Sequence, residues 1–488
     1  MTVELQELSS LKVFTRLPGV EFAIGLTNGD AVRQPARRCD SPFFRAQAVA
    51  YIKFRDVAAS VALKGKTMRQ SGQGLKLAAL AVAGQAITYL LAVVLARRLD
   101  VGEFEACVVA SAAFILMVTV ASRGVEKYTL RMLPALFERA DWNGARGLLR
   151  FGLRRTFLTS LVVGAVVGSW AWWVRDFSSA TRLAIVVGCL SLPAGALVHH
   201  GLEVLSAAGR ETRALAIVRI AVPSMALVFA GVLFGLQVNV SGAMATACWG
   251  LALALAMSIM AIQIRRAIPP QVMRATAVED VATWEKESRP FFIYRVSVAL
   301  LAQAGVIALD WLQPSATAVG AYAAAMGTAS LAAVLATATN RAHARRLSIL
   351  LERRDFATLL DMRRERLRWL LPAVAVFLVL SFAFTRELLA LFRPEFANVG
   401  VMPLRVLAVS TAFTVLLSLA PTYLKFRQRN RATYAAVGGA AAAQGVLLLW
   451  LVPAHGATGA ALAYAISMCG MYGAFAWMAH RELRQFKG

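Results

Sequence analysis

Apolar residues in this chain come in runs of roughly twenty, separated by short stretches into which most of the charge is gathered. A helix rises about 1.5 Å per residue, so such a run matches the roughly 30 Å hydrocarbon core of a bilayer. Twelve spans meet this criterion: 75–96, 104–122, 156–174, 183–206, 214–235, 242–264, 291–312, 320–340, 369–385, 403–424, 433–452 and 457–478. Several contain Gly or Pro, including Pro193, Pro223 and Pro372, which membrane helices tolerate when neighbours satisfy the freed backbone groups. The pattern predicts an all-α polytopic membrane protein.

Composition agrees. Hydrophobic residues make up 58% of the chain and mean hydropathy is +0.61, leaving too few polar positions to cover a soluble protein of 488 residues. A net charge of +25 would suggest nucleic acid if it lay on one folded surface. It lies between spans instead, and so reports topology. The connections 123–155, 208–213, 265–290, 341–368, 425–432 and 479–488 hold 31 Lys and Arg, against 6 in the alternate set. The positive-inside rule places the first set, and both ends of the membrane domain, in the cytoplasm. The longest connection opposite, 386–402, is too short for a domain.

Residues 1–73 lack the continuous apolar core of a secretory signal and carry Pro18, Pro35 and Pro42. They read either as a cytoplasmic extension or as untranslated sequence ahead of a start at Met68, where MRQSGQGLKLAAL leads into the first span. Cys107, Cys189, Cys248 and Cys469 fall inside apolar runs and read as small buried hydrophobes; Cys39 lies in a polar stretch. No Cys/His spacing fits a metal, and no phosphate loop, nucleophile elbow or acidic cluster appears. The sequence therefore predicts no cofactor and no catalytic residue, which disfavours an ATP-driven pump or a membrane transferase.

The chain also matches itself at a nearly constant shift. Val101-Gly102-Glu103-Phe104 aligns with Val319-Gly320-Ala321-Tyr322, Thr119 and Arg123 with Thr337 and Arg341, and Arg213-Ala214 with Arg431-Ala432. Ser241-Gly242-Ala243 aligns with Thr458-Gly459-Ala460, and Glu138-Arg139 ahead of Asp141-Trp142 with Glu352-Arg353 ahead of Asp355-Phe356. Two lobes of six helices follow: 74–264 and 291–478, joined by a cytoplasmic linker 265–290 and followed by a tail 479–488. An even number of spans per lobe makes the repeat parallel, as in transporters that rock two lobes around a central cavity.

Polar residues at membrane depth are costly and by default face a cavity or snorkel to an interface. In the seventh span, Arg295, Gln303 and Asp310 share an arc of about 80° with Ala299 and Val306. Snorkelling of Arg295 and an interfacial Asp310 form the alternative to a cavity stripe. Tyr322, Ser330, Thr337 and Asn340 form a weaker stripe on the eighth, suited equally to packing or cavity lining. His199 and Glu203 are one turn apart and are candidates for a structural pair or for proton coupling. Arg219 and Arg405 lie near span ends, where snorkelling is the simpler reading.

The segment ALAVAGQAITYLLAVVLARRLDVGEFEACVVASAAFILMVTVASRGVEKYTLRMLP resembles the first two helices of polysaccharide transporters in the multidrug/oligosaccharidyl-lipid/polysaccharide (MOP) exporter superfamily. ALDWLQPSATAVGAYAAA, ELLALFRPEFANVGVMPLRVLAVS and LVPAHGATGAALAYAIS extend that resemblance over roughly 74–478. It implies an inner-membrane flippase that moves a polyprenyl-pyrophosphate-linked oligosaccharide outward, with membrane lipids and polysaccharide polymerase or export proteins as neighbours. Arg295 and Gln303 would then meet the anionic head, with Arg219, Arg123 and Arg341 near the cytoplasmic mouth and Asp310 on the same stripe. The drug-extrusion branch is expected to carry an acidic residue in its first helix; 75–96 has Lys76 and Gln85 but no Asp or Glu. A saccharide polymerase or ligase, which typically needs a large outer loop, and a non-transporting scaffold are the readings from other classes.

Overall fold

The computed structural model describes residues 76–352, 355–427 and 430–485, and these are helical almost throughout. The first half holds α1 (Lys76–Arg98), α2 (Val101–Ser122), α3 (Val125–Glu138), α4 (Trp142–Trp173), α5 (Ser179–Ala207), α6 (Glu211–Gly235) and α7 (Gly242–Ala267). A short α8 (Pro270–Arg274) leads to the second half. There follow α9 (Val281–Leu312), α10 (Ala316–Glu352), α11 (Phe356–Ala383), α12 (Thr385–Ala390), α13 (Phe396–Val399), α14 (Val401–Leu417), α15 (Leu419–Phe426) and α16 (Asn430–Gln485).

Among the described residues, eleven stretches of helix are long and apolar enough to cross a membrane. The last accounts for two crossings. A straight helix the length of α16 would measure about 84 Å, far beyond any bilayer. The chain instead turns at Gly456 (φ 53°, ψ −130°), and Gly459 lies back against Leu451: a Cβ there would stand 2.0 Å from the Leu451 carbonyl oxygen. Twelve spans result, six in each half, in a multi-pass membrane protein. Large apolar side chains stand exposed along outer faces, for instance Phe157, Leu161, Val162 and Val166 on α4 and Val376, Val379 and Leu380 on α11. In water this would be a large unpartnered patch; in lipid it is the ordinary surface. Trp173, Trp369, Trp450 and Trp477 are the most exposed aromatics and stand at the ends of apolar runs, as in interfacial belts.

The repeat in the sequence corresponds to repeated caps in the fold. Asp141 opens α4 by accepting from the Gly144 amide at 2.9 Å, and Asp355 opens α11 by accepting from the Thr358 amide at 3.1 Å. The two lobes differ after their second span. Arg123 and Gly124 both take left-handed φ (48° and 76°) and separate α2 from α3, whereas at the repeat position Arg341-Ala342 the helix α10 runs on to Glu352. Gly supplies the left-handed conformation without a Cβ penalty, and Ala does not.

The segment 265–290 is a strap fixed to the first lobe. Arg146 donates to the Met273 carbonyl at 2.9 Å and to that of Ala275. Asn143 accepts from the Thr276 amide at 3.1 Å, and its carbonyl accepts from Val278 at 3.3 Å. The helix that follows begins at Val281, ten residues before its apolar run; this base packs on α3, and its Trp284 meets Phe151 of α4 with ring centroids 5.3 Å apart. Its membrane half packs on α16 and on α2, so α9 touches both lobes.

Candidate functional site

The polar stripe of α9 points inward. Arg295 and Gln303 are half-buried, Ala299, Val306 and Asp310 are buried, and Ile293, Val298 and Leu300 take the exposed side. Arg295 has an anionic neighbour: its Nε lies 3.4 Å from Oε1 of Glu126, a carboxylate only 2% exposed. The contact is an ion pair without hydrogen-bond geometry, and neither Glu126 oxygen has a hydrogen-bond partner. Glu126 stands in the first turn of α3, where the helix dipole favours a negative charge. Burial pushes its carboxyl above the ordinary glutamate range, and Arg295 offsets part of that rise.

Glu203 does not take His199 as its partner. It accepts from Lys127 Nζ at 2.5 Å, because α3 brings a full cation across to α5, and a cation outcompetes a neutral imidazole for a carboxylate. His199 is left within electrostatic reach of three cations, Arg295, Arg219 and Lys127. Arg219 sits in a π-helical turn, Ile217–Ala221, within α6, and π-turns often mark functional positions. Residues from four elements, three of the first lobe and α9 of the second, thus converge in the half of the protein nearer the basic connections. They comprise three cations, two carboxylates and His199.

The remaining candidates lie apart. Gln303 makes no hydrogen bond among the described residues. Asp310, 8% exposed, is at the opposite end of α9; its Oδ2 has no hydrogen-bond partner, and its charged neighbours are Glu105 and Arg175. The Arg175 guanidinium stacks on Trp311 and Phe177, 5.4 Å from each ring centroid. Arg123 lines a small cavity beside α9. The side chains of Arg341 and Thr337 lie outside the described residues.

Three groups escape the sequence reading: Glu126, its neighbour Lys127, and Arg366. Glu126 was counted within a basic connection, where its signal was only an acidic residue one turn past an apolar run. Arg366 was likewise counted in a connection, yet it is 3% exposed in the second lobe. It donates to Ser418 Oγ at 2.7 Å, Asn340 Oδ1 at 3.0 Å and Thr339 Oγ1 at 3.2 Å, so the polar end of the α10 stripe serves to hold a buried cation. Ser330, higher on that stripe, accepts from Gln85 of α1 at 3.0 Å.

The lobes are closed at the side opposite the basic connections. Arg97 donates to the Leu391 carbonyl at 2.6 Å, and Arg393 to that of Ala96 at 2.6 Å and that of Leu99. Phe104 packs on Phe396 and Tyr89 on Phe392, with centroids 5.8 and 5.2 Å apart. No metal-holding group of His, Cys, Asp or Glu occurs among the described residues.

No protein-family profile and no curated protein matches the chain. Its fold matches solved transporters of the MOP superfamily. An inward-facing multidrug resistance MATE family transporter of that superfamily aligns with a TM-score of 0.65 and 12% identity, over 83% of this chain and 95% of the other. A MOP superfamily transporter from Pyrococcus furiosus, described as having a binding pocket of reversed polarity, aligns at 0.59 and 12%, over 86% and 97%. A mutant of the Vibrio cholerae MATE transporter VcmN aligns at 0.58 and 13%, over 85% and 97%. At these identities the likeness establishes the shared fold.

Proposed function

We propose that this chain is an alternating-access transporter of the cytoplasmic membrane that flips a lipid-linked oligosaccharide, its basic connections and both ends of its membrane domain facing the cytoplasm. The observation that carries this reading is the convergence of Arg219 and Lys127 of the first lobe and Arg295 of the second around His199, on the basic side of two lobes that meet on the far side. Three cations against two carboxylates leave a positive site open to an anionic head, and the outward-facing apolar surfaces of both lobes suit a cargo whose tail stays in lipid. Membrane lipids, and polymerase or export proteins of the same route, would be its neighbours.

A cation-coupled multidrug antiporter is the second reading, favoured by the multidrug transporters among its structural neighbours. Against it stands α1, which contains no Asp or Glu and uses Gln85 to bond Ser330 across the lobes. The two readings separate in cells lacking the chain. The flippase reading expects polyprenyl-linked saccharide to accumulate in the inner leaflet and sensitivity to cationic drugs to stay unchanged. Drug sensitivity without that accumulation would overturn it in favour of the antiporter. Reporter fusions at Arg146 and Asn398 test orientation, with cytoplasmic and periplasmic signals expected respectively.

A further inference from the structure

The base of α9 meets the α2–α3 junction closely. A Cβ on Gly124 would stand 2.5 Å from the Phe292 amide nitrogen and 2.6 Å from the Ser288 carbonyl oxygen. Beside this contact lies a cavity of about 30 Å³ walled by Arg123, Arg155, Arg289, Glu285 and Ser288. Three guanidinium groups therefore face one carboxylate, and that carboxylate is already engaged: Arg155 Nη2 lies 2.5 Å from Glu285 Oε1. The Ser288 hydroxyl is spent on the Glu285 carbonyl at 3.1 Å. Donors remain. Arg155 Nε is buried without an acceptor, and the guanidinium groups of Arg123 and Arg289 make no hydrogen bond or ion pair among the described residues. A pocket rich in unused donors, with its one carboxylate already paired, is built for an anion.

Depth and size narrow the ligand. Arg123 directly follows α2, Arg289 precedes the apolar run 291–312, and Arg155 precedes the run 156–174. All three stand where an apolar span meets the headgroup layer on the basic side. A volume of about 30 Å³ admits one or two oxygen-sized atoms, enough for one edge of a phosphate and too little to enclose a diphosphate or a sugar. We propose that this pocket is a phosphate-binding site at headgroup depth, filled by the phosphate of an anionic phospholipid, which clamps the base of α9 to the first lobe. The site stands whatever cargo the central cavity carries. Basic pockets between membrane helices on this face suit such heads, and arginine matches phosphate through paired donors.

The test uses the full chain in nanodiscs of phosphatidylcholine with or without phosphatidylglycerol, reading retained lipid by native mass spectrometry. Arg123→Gln with Arg289→Gln removes the two unpaired cations and keeps the Arg155–Glu285 pair. Wild type should retain phosphatidylglycerol over phosphatidylcholine, and the double variant should lose that preference on the order of tenfold. Millimolar inorganic phosphate is the second arm: displacement of the retained lipid assigns the site to solution phosphate as well, and no displacement assigns it to the headgroup alone. Arg289→Gln by itself, a change at an exposed position, gives the same readout with an intermediate loss if the double variant is poorly folded. The proposal falls if wild type shows no preference and no phosphate effect. It falls equally if variants with unchanged melting midpoints in phosphatidylcholine retain phosphatidylglycerol as wild type does.

Discussion

Arg295 owes its position to the polar stripe of α9, but its partner comes from another element. Glu126 holds it at 3.4 Å from inside the protein, so an anionic cargo head must compete with a resident carboxylate for that guanidinium. On this reading Arg295→Ala removes charge-assisted hydrogen bonds to the head and strands Glu126 as well, costs of about 2–5 kcal/mol when one side of a buried pair is lost. Transport, measured as inner-leaflet saccharide at matched protein level, should fall sharply, and Arg295→Lys should rescue only in part because a point charge lacks the guanidinium fork. Full activity in the Ala variant would remove Arg295 from the site. Glu126 gives a pH signature with a definite sign. Its folded-state pKa lies above the unfolded value, so the stability it contributes is present at low pH and is lost as pH rises through the folded pKa. Glu126→Gln, which mimics the protonated acid, should therefore melt higher than wild type at neutral pH. The difference should close on acidification toward about pH 4, the ordinary glutamate range. A gap that widens on acidification would contradict that assignment.

At the level of elements, hydropathy located every span but misjudged where helices begin. α4, α9 and α11 start at Trp142, Val281 and Phe356, ten or more residues before their apolar runs, because their first turns lie outside the hydrocarbon and carry charge. Their Asp caps at 141, 280 and 355 were the readable sign of those starts. α3 was missed for the same reason, and with it went Glu126, Lys127 and the true partner of Glu203. Candidate residues inside spans were legible, since a polar group in a twenty-residue apolar run stands out. Residues in polar segments were not, since among 31 basic residues nothing in the sequence separates Arg366, buried on three acceptors, from a solvated neighbour. The left-handed break between α2 and α3 was likewise visible only as a glycine. Gly124→Ala should cost about 1–2 kcal/mol from the backbone conformation alone, and more from contact with Ser288 and Phe292. A lowered melting midpoint of the purified protein checks this, and an unchanged midpoint would show that α9 does not dock there.

For the whole molecule, the consequential feature is that the two lobes meet through different chemistry at their two ends. On the basic side the link is α9 itself, strapped to the first lobe by carbonyl and ion-pair contacts and packed on α16 of the second. On the far side it is Arg97 and Arg393 on backbone carbonyls, with two aromatic pairs beneath. Those far-side contacts bridge the lobes between elements that an outward-opening motion would have to separate. On the proposed alternating-access cycle they break once per turnover, and each neutral or singly charged bond of this kind is worth only about 1–3 kcal/mol net. A covalent bond in their place should therefore arrest the cycle. With the five native cysteines replaced, Phe104→Cys with Phe396→Cys puts two thiols on the elements whose rings now pack 5.8 Å apart, and a short reducible bis-thiol crosslinker takes the place of the two lost rings. Crosslinking should lock the far side and abolish transport, and reduction should restore it, while either single variant remains active under both conditions. A crosslinked protein that transports normally would show that the far side need not open, and would leave the fold without the motion proposed for it.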